Sequence, residues 1–291
     1  ERTSLAASLN PRDASNVEAL SPTDRKDFQQ RFEKWEKAQR VPSWTTLKPT
    51  VARSAGGAVL TGQEDGSILA SGKLVDTDTY VVVAWTDAEK ITGVRLEVLP
   101  HDSLGKAKGP GRRDDNGNFV LSEISVTAIP AGKPGKAKSV KLQNASQTFA
   151  QKGLAADGSI NGKTDDKKGW AIEKRGGRRH RAVFETKEDI GGPGGTLLVF
   201  TLDQHFGDKH TLGRFKIEVT SSQRPVRTLT LPENIAKVLV TPKDKRTPEQ
   251  LSTIISHYLS TDGDIGKRIR LSAAQDIAWA LANSPAFLFN R

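Results

Sequence analysis

Apolar residues along the chain fall into two textures. Near the amino end, Phe28, Phe32 and Trp35 recur at i, i+4 and i+7, the spacing of one helix face. Ser21-Pro22-Thr23-Asp24 precedes them as a start signal. Ser21 can cap, Pro22 suits the first helical position, and Asp24 suits the positive end of the helix. The stripe predicts either a partner-binding helix or, as the simpler expectation, a helix docked on the sandwich that follows. Residues 1–20 are polar and predict coil.

From Trp44 to Thr220 the pattern changes to short apolar or alternating runs separated by Gly, Asn and Asp. Expected strands are Ala58–Thr61, Ile68–Ser71, Thr79–Trp85, Ile91–Val98, Phe119–Ala128, Val140–Phe149, Ala182–Thr186, Thr196–Leu202 and Phe215–Thr220. Glu64-Asp65-Gly66 fits a hairpin turn between the first two. Phe119 and Leu121 alternate, then Ile124 and Val126, which implies an irregularity between the pairs. Many short strands with no amphipathic helices between them predict a mainly β fold, an antiparallel β-sandwich with α-helical flanking segments. The expected divisions are 1–43, coil plus amphipathic helix; 44–221, sandwich; and 222–291, helical.

Helical texture returns after Pro225. Thr247-Pro248-Glu249-Gln250 combines a capping Thr, Pro at the first position and Gln at the third. Leu251, Ile254, Ile255, Tyr258 and Leu259 follow on one face. Ser272 and Gln275 open a last expected helix, stopped by Asn283-Ser284-Pro285, and Phe287-Leu288-Phe289 needs a surface to lie against.

Composition narrows the options. No apolar run in the 291 residues approaches the roughly 20 needed to span a bilayer. No signal peptide is recognisable, and the chain opens with Glu1, so a processed chain or an excised fragment is expected. The absence of Cys excludes disulfides, thiolate zinc sites, a cysteine nucleophile and covalently attached c-type haem within these residues. The 44 Lys and Arg against 34 Asp and Glu suit an anionic partner. Their wide spread and the 6% aromatic content argue against nucleic acid.

Two segments carry candidate chemistry. Asp157, Asn161, Thr164, Asp165 and Asp166 place several oxygens in one loop. Calcium takes six to eight such ligands; the simpler reading is a surface loop of local Asx turns. The segment Glu173–Arg181 holds Lys174, Arg175, Arg178, Arg179 and Arg181. With Arg112 and Arg113 of the basic loop His101–Asp115, these side chains suit carboxylate or sulfate, to which Arg bonds in forks. The simpler reading is a solvated hairpin tip. Trp44, Trp85 and Trp170 are candidate sugar platforms, with the core as their expected place.

Catalytic patterns are missing. His205 and His210 do not match the HExxH spacing, and no Gly-x-Ser-x-Gly elbow occurs. No catalytic residue is assigned; the reading is of a non-enzyme, with a hydrolase acting on polysaccharide as a distant third.

Ala156-Asp157-Gly158, the polar loop and Trp170 resemble the early loop of discoidin-like, galactose-binding-like β-sandwiches. That resemblance implies a structural calcium. Ser122-Glu123-Ile124 looks like the closing-strand phrase whose Glu joins the ion. It precedes the loop here and follows it in ordinary members, so a shared site requires a permuted sandwich. The metal ligands implied are Asp157 and Glu123, with Asn161 and Thr164. Longer phrases resemble large planctomycete proteins with cytochrome-associated domains of unknown function. They are Trp44-Thr-Thr-Leu-Lys-Pro, Asp65-Gly-Ser-Ile-Leu-Ala-Ser-Gly, Thr77-Asp-Thr-Tyr, Gly109-Pro-Gly-Arg, Asn116-Gly-Asn-Phe-Val-Leu-Ser-Glu, His210-Thr-Leu-Gly-Arg-Phe and the end from Ala278 to Arg291. This resemblance implies an extracytoplasmic location; the haem motif of those proteins is absent here. The expected function is a carbohydrate-binding module, directed to acidic glycans. The alternative is an assembly module that contacts other protein subunits.

Overall fold

The computed structural model describes residues 22–39, 41–228, 231–262 and 264. The chain divides into two units, Pro42–Thr230 and the two ends together. Ser21, the expected coil and the expected elements beyond residue 264 lie outside the described residues.

The central unit is an antiparallel sandwich. Its first sheet contains β1 (Thr45–Thr46), β3 (Ala58–Gly62), β4 (Ile68–Gly72), β6 (Ile91–Val98), β10 (Leu142–Gln147), β12 (His180–Ile190) and β14 (Arg214–Thr220). They run in the order β10-β12-β6-β14-β4-β3, with β1 also on β14. The second sheet is β2 (Pro49–Ser54), β5 (Asp78–Thr86), β13 (Thr196–Gln204), β8 (Glu123–Pro130) and β9 (Lys138–Val140), in the order β2-β5-β13-β8-β9. A short ribbon pairs β7 (Val120–Leu121) with β11 (Trp170–Ala171).

Period-two alternation builds the core. In the second sheet Val82, Phe200, Val126 and Val140 share one register row. In the first, Ile217, Leu96 and Ala182 do the same. All seven point inward and belong to one core cluster with Tyr80, Phe184 and Phe215. Glu64-Asp65-Gly66 makes the expected hairpin: β3 and β4 pair across it, and Gly66 has φ +77°. The expected irregularity falls at Ser122, between β7 and β8. There Ser122 N–H donates to Asp203 O, and its hydroxyl accepts from His205 N–H.

The outer faces differ. Lys216, Glu97 and Arg181 form one row of the first sheet, and Glu218, Arg95 and Val183 the next. Glu97 is 1% exposed and lies 2.6 Å from Arg181 and 3.0 Å from Lys216. Burial alone would raise its pKa, but the two cations outweigh that and hold it below the usual value. The second sheet instead shows Val83 beside Val199 and Thr127, and Trp85 beside Leu197 and Ile129.

In the helical unit, α1 (Pro22–Ala38), α2 (Glu233–Val240) and α3 (Pro248–Thr261) pack together. Pro22 opens α1 as expected. Phe28, Phe32 and Trp35 meet Tyr258, Leu259 and Ile255 of α3. The stripe expected to dock on the sandwich thus finds apolar cover within its own unit. The capping box at α3 forms in full: Thr247 accepts from Gln250 N–H, and Gln250 accepts from Thr247 N–H.

Candidate functional site

The β7–β11 ribbon supplies the floor of a cleft at one end of the sandwich. Val120 and Ala171 pair in it, and with Leu154 they form a small apolar cluster against Phe206. Around this floor stand Arg113, Asn116, Asn118, Gln151, Glu173, Asp208 and His210, enclosing about 280 Å³.

The polar walls are held in place by backbone N–H groups and by one another. Asn118 accepts from Ile172 N–H at 2.9 Å and donates to Gln151 Oε1 at 3.3 Å. Asn116 accepts from Asn118 N–H at 2.9 Å. Arg113 is pinned between Asp115 and Asp208. Phe206 meets His210 edge to face, with ring centroids 5.6 Å apart, and Lys167 sits 5.2 Å from the Phe206 ring. Fixed polar groups need little ordering when a ligand binds.

The far wall is strained. Gly207, Asp208 and Lys209 have φ of +96°, +54° and +60° in succession. Gly adopts such values freely and Asp tolerates them, but Lys does not favour them. Backbone of this kind collects at ligand sites.

The basic residues singled out from sequence take several positions. Arg113 lines the cleft. Arg112 donates to the carbonyls of Lys73 and Gly72 at 2.8 and 2.7 Å, which closes the end of β4. Arg179 and Arg181 lie 3.7 and 2.6 Å from Glu97 on the outer face of the first sheet. Arg175 stacks over Phe149 at 5.1 Å. Lys174 and Arg178 are exposed on the same hairpin tip. The tip itself lies against the other basic loop: Gly177 N–H donates to Gly109 O, and Gly176 abuts Asn116 and Ala107. Buried His180 anchors it through Nε2, 3.0 Å from Arg175 O. Burial lowers the pKa of this imidazole.

Sequence reasoning missed Phe206, Gln151, Asn116 and Asn118. The Phe-Gly-Asp-Lys run was the available signal, since a bulky apolar residue at an Asp-Gly-type turn has no strand to fill. Trp170 is buried, as expected, and donates to Phe149 O at 2.9 Å. Trp44 departs from the expected core position: it is half-buried, under Arg95 at 4.5 Å. Trp85 departs from the expected core position: the alternation of β5 turns it outward, 42% exposed.

Glu123 and the polar loop do meet. Asn161 and Gly162 N–H groups face the Glu123 carboxylate, and Asp203 and Asp166 act on it as like charges. Burial first, then those acids, push its pKa up to about 7. Its Oε2 is buried without a hydrogen-bond partner.

That orphan is one ligand for a hard cation, and the Asn161 and Asp166 oxygens beside it already accept local hydrogen bonds. Asn161 Oδ1 accepts from Lys163 N–H, and Asp166 accepts from Lys168 N–H and Asn161 Nδ2. Asp157 is exposed on the 3₁₀ turn Ala156–Ile160, and Thr164 is half-buried. No group of three His, Cys, Asp or Glu suited to a metal occurs among the described residues. Calcium takes six to eight oxygens, and of the four expected ligands only Glu123 presents a buried oxygen without a partner.

Among solved structures, the chain is similar to a mutant of CBM29-2, a family 29 carbohydrate-binding module studied for its mechanism of ligand recognition. The two are 8% identical over 63% of this chain and 99% of that one, with a TM-score of 0.25. No protein-family model and no curated protein matches the chain.

Proposed function

We propose that the sandwich is a non-catalytic carbohydrate-binding module whose ligand enters the Arg113–Phe206 cleft. One observation carries this reading: amide, guanidinium, carboxylate and imidazole groups converge on a pocket with an aromatic wall. A sugar offers hydroxyls to such groups and a C–H face to such a ring. The lining itself holds Arg113 with Glu173 and Asp208; the two basic loops meeting beside it, with exposed Lys174 and Arg178 on the hairpin tip, support an acidic sugar. On this proposal the module works outside the cytoplasm, where such polymers are exposed.

A glycan array at low and moderate salt tests the reading. Uronate or sulfated glycans should respond, and more weakly as salt rises. Flat responses to neutral and acidic sugars alike would reject it.

A second reading, an assembly module, rests on the outer face of the second sheet. Trp85 and Val51 are 42% and 39% exposed there, beside half-buried Val83, Leu197 and Val199. A contiguous apolar surface often marks a protein contact. Light scattering over a concentration series tests it: a strictly monomeric mass counts against self-assembly. Among the described residues no helix is long and apolar enough to cross a membrane.

A further inference from the structure

A larger cavity lies at the opposite end of the sandwich. The β8–β13 register fixes the two ends: Glu123 faces Asp203 at the cleft end, and Pro130 faces Thr196 at the other. The space there measures about 410 Å³. Ala128, Val140 and Ile190 give it an apolar interior, and Lys136, Lys138 and Lys141 belong to its lining.

The lysines are not arbitrary surface charges. In β9, Lys138 pairs with Ala128 and Val140 with Val126. Alternation therefore puts Lys138 on the core-facing side of the sheet, in line with Val140. An apolar residue at that position would close the gap between the sheets. A lysine runs its methylenes along the wall and takes its ammonium to water. Two acids share the lining, Glu188 and Asp189, but Asp189 is ion-paired with Arg224. Positive charge prevails. The remaining wall is the glycine-rich turn Gly191–Gly195, where Gly195, at φ +89°, leaves no room for a Cβ under Trp85.

We propose that this cavity is a second binding site, for an organic anion with an apolar body. The apolar part lies between the sheets against Ala128, Val140 and Ile190, and the anionic head meets the lysines. The site stands independently of the glycan reading, at the other end of the unit. An inward lysine also guards a sheet edge against pairing, and that role alone would give no ligand preference.

The test is calorimetric titration of the full chain with octanoate, alongside acetate (head without tail) and octyl glucoside (tail without anion). Octanoate should bind saturably, at least about tenfold more tightly than either comparator, a difference of about 1.4 kcal/mol. The double variant Lys138→Glu with Lys141→Glu should weaken it by at least about tenfold. Ala128→Leu, which fills the interior, should weaken it as well, and Phe206→Ala should leave it unchanged. No saturable octanoate binding, equal binding of octyl glucoside, or binding indifferent to the lysine changes would overturn the proposal. Loss of glycan binding with octanoate binding intact would reject the cleft reading alone.

Discussion

Glu123 and Asp203 stand directly opposite each other on β8 and β13, two carboxylates in one register row. Like charges so placed repel. Asp203 is satisfied by the Thr79 hydroxyl at 2.7 Å, whereas Glu123 keeps a buried oxygen without a partner. Burial first, with the charges of Asp203 and Asp166 adding to it, lets Glu123 hold its proton to about pH 7 when folded, well above the usual unfolded value of about 4.3. The folded state binds the extra proton between those values, so this group's contribution falls as pH rises from about 4.5 to 7 and is flat above. Glu123→Gln should flatten that slope and raise Tm at pH 8 by a few degrees, on the order of 1 kcal/mol. Thermal melts from pH 4.5 to 8 check it. Calcium and chelator should leave Tm unchanged; a rise of several degrees with calcium would mean that oxygens gather at Glu123 after all.

Glu97 behaves in the opposite sense. Its pKa lies below the usual value, so its contribution is fully present above the unfolded pKa and lost as pH falls through the folded one. Arg181→Ala should cost about 2 kcal/mol, below the usual loss for a broken buried pair, because Lys216 remains at 3.0 Å. Adding Glu97→Gln to that variant should recover part of the loss. Urea melts of the single and double variants measure the coupling.

The helical unit rests on its aromatic cluster. Phe32 stacks on Phe28 and Trp35 with centroids 5.7 Å apart in each case, and meets Tyr258 at 5.5 Å. Phe32→Ala should destabilise this unit by about 2 kcal/mol, below the value for a fully buried Phe because the ring is half-buried, visible as lost helical circular dichroism. Thr247→Ala should cost about 1 kcal/mol, the worth of a cap, and should speed amide exchange in the first turn of α3.

Local pattern made much of the fold legible. Ile91–Val98 matches its expected bounds, and Thr79–Trp85 grows by one residue at each end to Asp78–Thr86. The Thr247 cap and the Gly66 turn are chemistry written within four residues. Pro49–Ser54 escaped notice because it opens on proline and buries few side chains, as an edge strand does. Strand order was not legible: β13 sits between β5 and β8, partners far apart in sequence. The cleft shared that difficulty. Asn118, Gln151, Glu173 and Phe206 come from four separate segments, and no spacing announces their meeting. The basic residues were easier to see than to interpret, since Arg112 and Arg181 are held by partners that only the sheets bring near.

The central claim is that a glycan occupies the Arg113–Phe206 cleft. Calorimetric titration of the full chain with an array-identified acidic oligosaccharide tests it most directly, in parallel with Phe206→Ala and Gln151→Ala. Removing the ring should weaken binding about tenfold or more, and removing the amide severalfold, with both variants still folded at the temperature of titration because both side chains are only half-buried. Affinity unchanged in both variants would place the sugar elsewhere and contradict the account.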